Sequence, residues 1–568
     1  MDVMKLYGEW TSRTLEDPAL TADLEAVKDK PEEINDRFYM DLEFGTAGLR
    51  GVLGAGTNRM NIYTVRRATQ GLADYLNARK SGASVAIAYD SRINSTLFAQ
   101  ESAAVLAANG VKAYIYRELM PTPALSYAVR ELHCDSGINI TASHNPAKYN
   151  GYKAYDASGC QITGEMASEV MANILKTDIF EGVKHVSFED GLKSGMIEYI
   201  SEDLVQSFIN RVLKEQVNPG ICKDSGLKLV YTPLNGAGRR CVLSVLNAIG
   251  ITDITVVPEQ EMPDGNFPTC PYPNPEILQA MQLGLNLVEK LGADLLLATD
   301  PDSDRVGTAV LENGKPRLIS GNEMGVLLID YIARSKIANG TMPKKPVVVK
   351  SIVSTTMADA VAAEYGIEVR GVLTGFKYIG EQIALLEQAG EEDRYLLGFE
   401  ESYGYLSGGY VRDKDAVDAS MLIVEMAAWY KKQGKHLGQA LDELYAKFGR
   451  FLNKVDSYTF EGASGMSKMK GILDALREKP LTEIAGMPVV GSTDYKTSIR
   501  IRDGKEEKIS LPSANVLEYN LSCGSVIVRP SGTEPKLKLY YSIKAGSLEE
   551  AQKLQSDIKA SVEAQLGL

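Results

Sequence analysis

The chain has 568 residues, too many for one hydrophobic core, so several domains are expected and a single-domain protein is excluded. Hydrophobic residues make up 44% of it and charged residues 24%, which are ordinary values for a soluble folded protein and exclude a fibre. The net charge of −13 argues against nucleic acid or an anionic membrane as the main partner, because both bind broad basic surfaces. A small anionic substrate remains compatible with this charge if cations line its site.

The N-terminal stretch and the cysteines indicate the compartment. The stretch "MDVMKLYGEWTSRTLEDPAL" lacks the charged-then-apolar order of a signal peptide, and no apolar run is long enough to cross a bilayer. The 6 cysteines form no C-x-x-C pair, which predicts neither a disulfide framework nor a zinc ribbon. We therefore expect a cytoplasmic protein with reduced thiols.

Three segments in chain order repeat one pattern, in which apolar strands alternate with helical stretches. The first runs from "SVAIAYDSR" to the strand "INI", the second from "LKLVYTPLNGAG" to "ADLLLATDPDSDR", and the third from "KPVVVKSIVSTT" to "RYLLGFEES". This alternation predicts mixed α/β units with largely buried sheets. Ligands of open α/β sheets gather at the carboxyl ends of strands, so we expect the three closing loops to line one cleft.

The last part of the chain has a different pattern, with two helices segregated around several short strands. This arrangement predicts a C-terminal α+β module. We therefore predict three tandem mixed α/β domains followed by an α+β domain. Their predicted bounds are residues 1–205, 206–314, 315–450 and 451–568.

The first closing loop, in "GINITASHNPAKYNGYK", delivers Ser143 and His144 from a strand end. Pro146 keeps Asn145 out of helical dihedrals, so both side chains belong to an extended loop. A loop serine is often only a turn former, and such a histidine often only a structural hydrogen-bonding group. With Lys153 nearby, Ser143 could instead carry a phosphoryl group whose charge is shared by a metal ion and cations.

The second closing loop, "DPDSDR", places Asp300, Asp302 and Asp304 directly after a strand. Three hard oxygen ligands in a tight loop suit Mg²⁺. A calcium EF-hand is excluded, because Arg305 and Leu311 stand where it needs glycine and glutamate. A solvated turn is one alternative, and an aspartyl-phosphate phosphatase with Asp300 as nucleophile is another.

Two further loops carry groups suited to a phosphosugar. "RPSGTEPK" offers Arg529 for bidentate phosphate binding, hydroxyls and a glycine that lets backbone amides approach an anion. "GFEESYG" offers Glu400 and Ser402 to neighbouring sugar hydroxyls. Each is also compatible with an ordinary turn or surface loop. The sequence contains no P-loop motif and no histidines at zinc-site spacing, which argues against a P-loop nucleotide site and a histidine-rich zinc site.

The four motifs "TASHNP", "DPDSDR", "GFEES" and "RPSGTEPK", in this order, resemble the α-D-phosphohexomutases. The resemblance covers essentially the whole chain and implies a TATA-binding-protein-like fourth domain around a central cleft. It implies that Ser143 is carried as phosphoserine and that Ser143, Asp300, Asp302 and Asp304 surround Mg²⁺. The phosphoserine would phosphorylate a sugar monophosphate, and the bisphosphate would turn around and return its other phosphate to Ser143.

The resemblance also assigns roles to residues outside those loops. Arg50 in "FGTAGLRG" and Arg305 would face the reacting phosphate, Lys153 matches a lysine implicated in proton transfer, and His144 is a further catalytic candidate. The implied substrate-binding residues are Thr374, Gly375, Lys377, Glu400, Ser402, Lys414, Arg529, Ser531, Gly532 and Thr533. Among them, the loop "LTGFKYIG" would help to distinguish the two sugar orientations.

One departure from the family pattern narrows the expected activity. Phosphomannomutase-type bacterial members carry a histidine just after the sugar-binding serine, whereas "ESYGYL" has none. This favours the phosphoglucomutase and phosphopentomutase branch. We expect interconversion of α-D-glucose 1-phosphate and glucose 6-phosphate, with glucose 1,6-bisphosphate as intermediate and activator. The alternatives are a phosphopentomutase or phosphomannomutase, an aspartyl-phosphate phosphatase, and a non-catalytic phosphosugar-binding protein.

Overall fold

The computed structural model describes residues 2–43, 48–460, 462–530 and 536–568, without the side chains of residues 462–464 and 466. These residues form two compact units. Unit 1 comprises Met1–Ile319, Ile383–Gly390 and Gly404–Gln433, and unit 2 comprises Ser320–Gln382, Glu391–Tyr403 and Gly434–Leu568. The predicted third domain, 315–450, contributes segments to both units, and the four predicted domain bounds stay predictions.

The first part of unit 1 is built on a sheet with buried strands and surrounding helices. Its helices are α1 Val3–Thr11, α2 Pro18–Ala26, α3 Pro31–Phe38, α4 Ile62–Asn77, α5 Ser95–Ala108, α6 Thr122–Glu131, α7 Gly164–Lys176, α8 Phe188–Lys193 and α9 Glu202–Leu213. Its strands are β1 Gly48–Val52, β2 Ser84–Tyr89, β3 Lys112–Ile115, β4 Ser136–Ile140, β5 Tyr149–Asp156 and β6 Ile197–Tyr199.

This sheet is mixed and has the order β1-β5-β4-β2-β3-β6. Strands β4, β2, β3 and β6 are parallel, and β5 and β1 are added antiparallel at one edge. Every residue of β4 is buried, as expected for a strand covered on both faces. The carboxyl end of β4 therefore projects the "TASHNP" loop from a rigid support.

The second part of unit 1 has its own sheet, ordered β11-β10-β9-β7-β8. Its elements are β7 Lys228–Thr232, α10 Gly238–Ala248, β8 Asp253–Val256, α11 Pro258–Glu261, α12 Leu278–Leu291, β9 Leu295–Thr299, β10 Val306–Glu312 and β11 Lys315–Ile319. Strand β9 is buried throughout and pairs antiparallel with β10, with Thr299 opposite Val306. The "DPDSDR" loop therefore closes a tight connection between two paired strands.

The next stretch of the chain supplies a parallel sheet in unit 2 and further segments of unit 1, among them the second half of α15 from Ile383. It contains α13 Gly321–Ala338, β12 Val347–Ser351, α14 Met357–Glu364, β13 Glu368–Val372, α15 Phe376–Gln388, a 3-10 turn Glu392–Arg394, β14 Tyr395–Glu400, β15 Gly404–Leu406, α16 Ala416–Lys431 and α17 Leu437–Phe448. In unit 2, β12 pairs in parallel with both β13 and β14. Strand β15 and helix α16 belong to unit 1.

The C-terminal part of unit 2 is an antiparallel sheet ordered β16-β24-β23-β22-β19-β20-β21, with a separate hairpin β17-β18. The elements are β16 Arg450–Thr459, α18 Gly462–Glu478, β17 Glu483–Ile484, β18 Met487–Pro488, β19 Gly491–Asp494, β20 Ile499–Arg502, β21 Lys505–Lys508, β22 Leu517–Leu521, β23 Gly524–Pro530, β24 Lys536–Ala545 and α19 Leu548–Leu566. Three mixed α/β sheets followed by this antiparallel sheet confirm the predicted fold class. Within the described residues, no helix is both long and apolar enough to span a membrane.

Candidate active site

Ser143 is held in an unusual backbone conformation just beyond β4. Its φ of 54° lies in the left-handed region, which a residue with a side chain adopts only when its surroundings fix it. Its N–H donates to Thr141 Oγ1 at 2.8 Å, and only 4% of the residue is exposed. The loop therefore fixes the main chain of Ser143.

Arg92 supports this loop and was not among the predicted site residues. Its guanidinium donates to four backbone carbonyls, those of Ser143, Asn145, Pro146 and Tyr149, the last two at 3.0 Å. The buried side chain is ion-paired with Asp90 at 3.3 Å. A planar guanidinium with five donors suits this task, whereas an ammonium group does not.

The three aspartates of the second loop meet the serine in unit 1. Ser143 Oγ donates to Asp300 Oδ2 at 3.1 Å, and Asp300 Oδ1 accepts the N–H groups of Asp304 and Arg305 at 3.1 and 3.0 Å. Asp300, Asp302 and Asp304 are all buried, and one oxygen from each lies within 4.8 Å of the others. The structure thus brings together the serine and the three carboxylates that the sequence singled out.

The pKa shifts of the three aspartates reflect the excess negative charge of this carboxylate cluster. Burial, with the neighbouring charges of Asp302 and Asp304, raises the pKa of Asp300 well above its ordinary value. Burial and the charge of Asp302 likewise raise the pKa of Asp304. For Asp302 burial acts in the same sense, but the Lys153 ammonium, a hydrogen bond with Asp300 and the charge of Lys414 together hold the pKa of that carboxyl below its ordinary value.

The donor set of the cluster fits a hard divalent cation. Asp302 Oδ1 and Asp304 Oδ1 are buried and accept no hydrogen bond from any described residue. An unsatisfied buried carboxylate oxygen is costly, and a bound cation removes that cost. Carboxylate oxygens are the ligands that Mg²⁺ prefers.

Two lysines flank the carboxylates. Lys153 on β5 places Nζ 2.9 Å from Asp302 Oδ2 and 3.9 Å from Asp304 Oδ2. Lys414 places Nζ 3.2 Å from Asp304 Oδ2 and 3.1 Å from Asp413 Oδ1. Both predicted lysines therefore lie beside the cluster, where they add positive charge.

Gly404 makes room for Lys414 and was also missed by the sequence reasoning. A Cβ at this position would lie 2.1 Å from Lys414 Cδ, which is much closer than van der Waals contact. Only glycine leaves the path of the buried lysine side chain open. The position stands in "ESYGYL", next to the predicted sugar-binding loop but in the other unit.

Of the remaining predicted catalytic residues, His144 contacts Ser143, and Arg305 and Arg50 act on His144 through their charges. His144 Nδ1 is 3.2 Å from Ser143 Oγ, and burial together with the charges of Arg305 and Arg50 lowers the pKa of His144 well below its ordinary value. Arg305 is ion-paired with Glu276 at 2.8 Å. Arg50 is an exposed residue of β1, opposite Gly151 of β5. The charges of both arginines therefore act on this loop.

In unit 2 the loop predicted to bind the sugar and the loop predicted to distinguish its orientations contact each other. Glu400 ends β14, is buried, and accepts the N–H of Gly375 on Oε1 at 2.7 Å. Gly375 has φ of 120°, a conformation that favours glycine. Thr374 Oγ1 is buried and lacks a hydrogen-bond partner among the described residues. Lys377 and Ser402 are partly exposed.

The predicted phosphate-binding loop is described only at Arg529, Pro530 and Lys536. Arg529 Nη1 donates to Tyr540 Oη at 3.3 Å. Burial raises the pKa of Tyr540 to about 12, and the carboxylates of Glu401 and Glu400 act in the same direction. Tyr540 of unit 2 is therefore close enough to Arg529, Glu400 and Glu401 for all three charges to act on it. Ser531, Gly532 and Thr533 lie outside the described residues.

Comparison with known families identifies the chain along most of its length. It matches, in order, "Phosphoglucomutase/phosphomannomutase, alpha/beta/alpha domain I" at residues 41–180, domain II at 206–314, domain III at 320–448 and the C-terminal domain at 477–561. The chain belongs to the phosphoglucomutase/phosphomannomutase family. The predicted resemblance to the α-D-phosphohexomutases is confirmed.

Individual family members agree in sequence and in fold. A phosphoglucomutase of Staphylococcus saprophyticus is 37% identical over 523 residues, which cover 91% of this chain and 93% of that protein. The open form of the Paramecium phosphoglucomutase pp63/parafusin has a TM-score of 0.68 at 17% identity and covers 93% of this chain and 96% of its own. Aspergillus fumigatus N-acetylphosphoglucosamine mutase, solved with GlcNAc-6P and magnesium, has a TM-score of 0.52 at 13% identity, with coverage of 97% and 100%.

Proposed function

We propose that this chain is a phosphoglucomutase that interconverts α-D-glucose 1-phosphate and glucose 6-phosphate. The hydrogen bond from Ser143 Oγ to Asp300, inside a carboxylate cluster with two unsatisfied oxygens, carries the proposal. Such a site suits a phosphoryl group held between a serine oxygen and a cation. The similarity to the S. saprophyticus phosphoglucomutase supports the choice of glucose phosphates.

In this proposal Asp300, Asp302 and Asp304 hold Mg²⁺ together with an oxygen on Ser143. When bound, Mg²⁺ neutralises charge that develops on the transferred phosphoryl group. The A. fumigatus mutase, which was solved in complex with magnesium and a sugar phosphate, is consistent with this assignment.

Ser143 is the proposed phosphoryl carrier. The P–O bond to Ser143 breaks as a bond forms to the free hydroxyl of a glucose monophosphate, giving glucose 1,6-bisphosphate. The bisphosphate then turns around, and its other phosphoryl group returns to Ser143. The proton lost by the reacting hydroxyl is taken up at Ser143 Oγ, and Lys153 Nζ is the proposed group through which it moves. Arg50, His144 and Arg305 would surround the phosphoryl group.

The sugar and the phosphate that is not transferred would be bound by the remaining predicted residues. Glu400 and Ser402 would bind sugar hydroxyls, and Thr374, Gly375 and Lys377 would distinguish the two sugar orientations. Arg529, with Ser531, Gly532 and Thr533, would hold the second phosphate. Lys414 would add a cation on the side of Asp304.

Phosphorus NMR tests the proposed reaction. α-Glucose 1-phosphate is incubated with the protein, Mg²⁺ and a trace of glucose 1,6-bisphosphate, and the time course is repeated with the Ser143→Ala variant. We expect a growing glucose 6-phosphate signal without inorganic phosphate, and no conversion by the variant. Ser136→Ala, a change at a buried serine of β4, the strand that leads into the Ser143 loop, is the matched control and should remain active.

The other outcomes separate the alternatives. Release of inorganic phosphate that survives loss of Ser143 would identify the Asp300 phosphatase. Preferential conversion of pentose or mannose phosphates, measured as kcat/KM, would replace glucose as the substrate. No turnover of any of these compounds would leave a phosphosugar-binding protein.

A further inference from the structure

The Thr122 side chain lies between the strand that delivers Ser143 and the carboxylate cluster. Asn139 Nδ2, on β4, donates to Thr122 Oγ1 at 2.8 Å, and Thr122 Oγ1 donates to Asp302 Oδ2 at 3.0 Å. The three residues are buried, with exposures of 1%, 0% and 0%. They form a relay from amide to hydroxyl to carboxylate.

The relay leaves the two oxygens of Asp302 in different situations. Oδ2 accepts from Thr122 Oγ1 and from Lys153 Nζ, the latter at 2.9 Å. Oδ1 is buried and accepts from no described residue. Two donors on one oxygen fix the rotation of the carboxylate and leave the other oxygen available for a cation. Partners behind a ligand commonly tune metal affinity in this way.

The backbone of Thr122 fixes the same aspartate. Its N–H, in the first turn of α6, donates to the carbonyl of Asp302 at 2.8 Å. The partners are 180 positions apart in the sequence, and the contact joins the start of helix α6 to the loop between β9 and β10 within unit 1. Thr122 therefore holds both the main chain and the side chain of Asp302.

We propose that Thr122 is a positioning residue that orients Asp302 for a divalent cation, with Asn139 orienting the threonine hydroxyl. The inference rests on the cation site of the proposed function. Asn139 Nδ2 donates its hydrogen bond to a lone pair of Thr122 Oγ1, which leaves the hydroxyl proton to donate to Asp302. Through the relay, Asn139 on β4, the strand that leads to the Ser143 loop, helps to set the direction of Asp302 Oδ1, the oxygen proposed to bind the cation.

A purely structural role predicts a different result from a positioning role. A buried hydroxyl that serves only stability would lower the melting temperature when it is removed and leave cation affinity unchanged. A positioning hydroxyl changes affinity even in a folded variant. Replacement by a residue that retains the hydroxyl should then restore binding.

The test is Mn²⁺ binding, followed by electron paramagnetic resonance of the free ion and by competition with Mg²⁺. The full-length protein is used, with the phosphorylation state matched by intact-mass measurement. We expect Thr122→Val to weaken Mn²⁺ binding by about 10- to 100-fold and Thr122→Ser to stay near the parent protein. Thr69→Val is the matched control, because Thr69 is a buried hydroxyl in α4 that donates to Val65 O.

The outcomes distinguish failure of the Thr122 relay from failure of the proposed function and its cation site. Equal Mn²⁺ affinity in the parent protein and in folded Thr122→Val would overturn the relay and leave the proposed function intact. Failure of the parent protein to bind Mn²⁺ would overturn the cation site and the relay with it. If Thr122→Val does not fold, Thr122→Ala is measured against Thr122→Ser, and equal affinities of that pair would likewise overturn the relay.

Discussion

At the residue scale, the Ser143 loop is held in place by one buried side chain. Arg92 donates to three carbonyls of this loop and to that of Tyr149 at the start of β5, and its own charge is balanced by Asp90. A loop positioned by a single side chain is sensitive to that side chain, because small misplacements of reacting groups have large kinetic effects. The position of Ser143 is therefore set by a residue that does not touch the substrate in the proposed mechanism.

We expect Arg92→Lys to lower kcat by about 10- to 100-fold while KM changes little, since lysine cannot reach four carbonyls. The measurement is steady-state kinetics together with the phosphorus NMR shift of phosphoserine, which reports its surroundings. Arg66→Lys is the control, because Arg66 is a buried arginine paired with Glu16 and Glu101 away from the loop. A kcat in Arg92→Lys equal to that of the control would contradict the positioning role.

Gly404 offers a second test at this scale. Its replacement by alanine would put a Cβ 2.1 Å from Lys414 Cδ and so displace the ammonium group from Asp304. We expect Gly404→Ala to reduce kcat/KM by up to about 100-fold and to resemble Lys414→Met. Gly471→Ala, where a Cβ meets nothing within 4 Å, should retain activity. Full activity in Gly404→Ala together with low activity in Lys414→Met would show that Lys414 keeps its place beside the added methyl group, and would contradict the requirement for glycine.

The same residues show what sequence alone can and cannot give. Ser143, the three aspartates and Glu400 were predicted because each stands in a short motif directly after an apolar strand. Arg92 and Thr122 were missed because their partners lie 51 and 180 positions away, and no local pattern reports such contacts. The "AYDSR" stretch contains Asp90 and Arg92 after a buried strand, which was the only local signal for the first of them.

At the element scale, helix α16 begins in a cluster of buried carboxyl groups. Asp415 is its N-cap and accepts Tyr410 Oη at 2.6 Å, while Asp418 accepts the N–H and hydroxyl of Ser407 at 2.7 and 2.8 Å. Burial raises the pKa of Asp415 to about 6. Burial, with the charges of Asp415 and Glu215, raises the pKa of Asp418 well above its ordinary value.

These shifts give stability a definite pH dependence. The folded carboxyls keep their protons to higher pH than the unfolded ones, so the folded state binds more protons and stability falls as pH rises from 3.8 through about 6. Each unit of raised pKa corresponds to about 1.4 kcal/mol. Asp418→Asn removes one of the titrating groups. The melting temperature of the variant minus that of the parent protein should therefore increase as pH rises from acid to neutral. The exposed Asp253→Asn serves as control, and parallel curves for Asp418→Asn and the parent would refute this interpretation.

Strand order within the sheets was less predictable than the strands themselves. The strand and helix pattern of the first segment was predicted, and it corresponds to β2, α5, β3, α6 and β4. The antiparallel addition of β5 and β1 was not, because their residues look like those of any strand and only pairing partners fix direction. Lys153 lies on β5, so the antiparallel pairing of β5 with β4 places it beside Asp302.

At the scale of the whole molecule, the described site residues divide between the two units. The Ser143 loop, the carboxylates and both lysines belong to unit 1, whereas Thr374, Glu400 and Arg529 belong to unit 2. The sequence predicted four domains but gave no sign that segments of its third domain belong to unit 1. The proposed substrate binding by unit 2 and the proposed cation binding by unit 1 can therefore be tested separately.

We expect Arg529→Met in unit 2 to raise KM for glucose 1-phosphate by about 10- to 100-fold, because a charged hydrogen bond contributes about 1.5–3 kcal/mol. Mn²⁺ affinity in unit 1 should not change. Kinetics and electron paramagnetic resonance give both quantities, and the exposed Arg502→Met is the control. An unchanged KM would remove Arg529 from the substrate site.

Both transfers of the proposed mechanism require Ser143 to carry the phosphoryl group. The most direct measurement is to incubate the protein with glucose 1,6-bisphosphate and Mg²⁺, locate the added phosphoryl group by fragmentation mass spectrometry, and then add glucose 1-phosphate. The phosphoserine mechanism predicts one phosphoryl group on Ser143 that glucose 1-phosphate discharges to regenerate the bisphosphate. A phosphoryl group on another residue, or one on Ser143 that the sugar phosphate does not discharge, would contradict it.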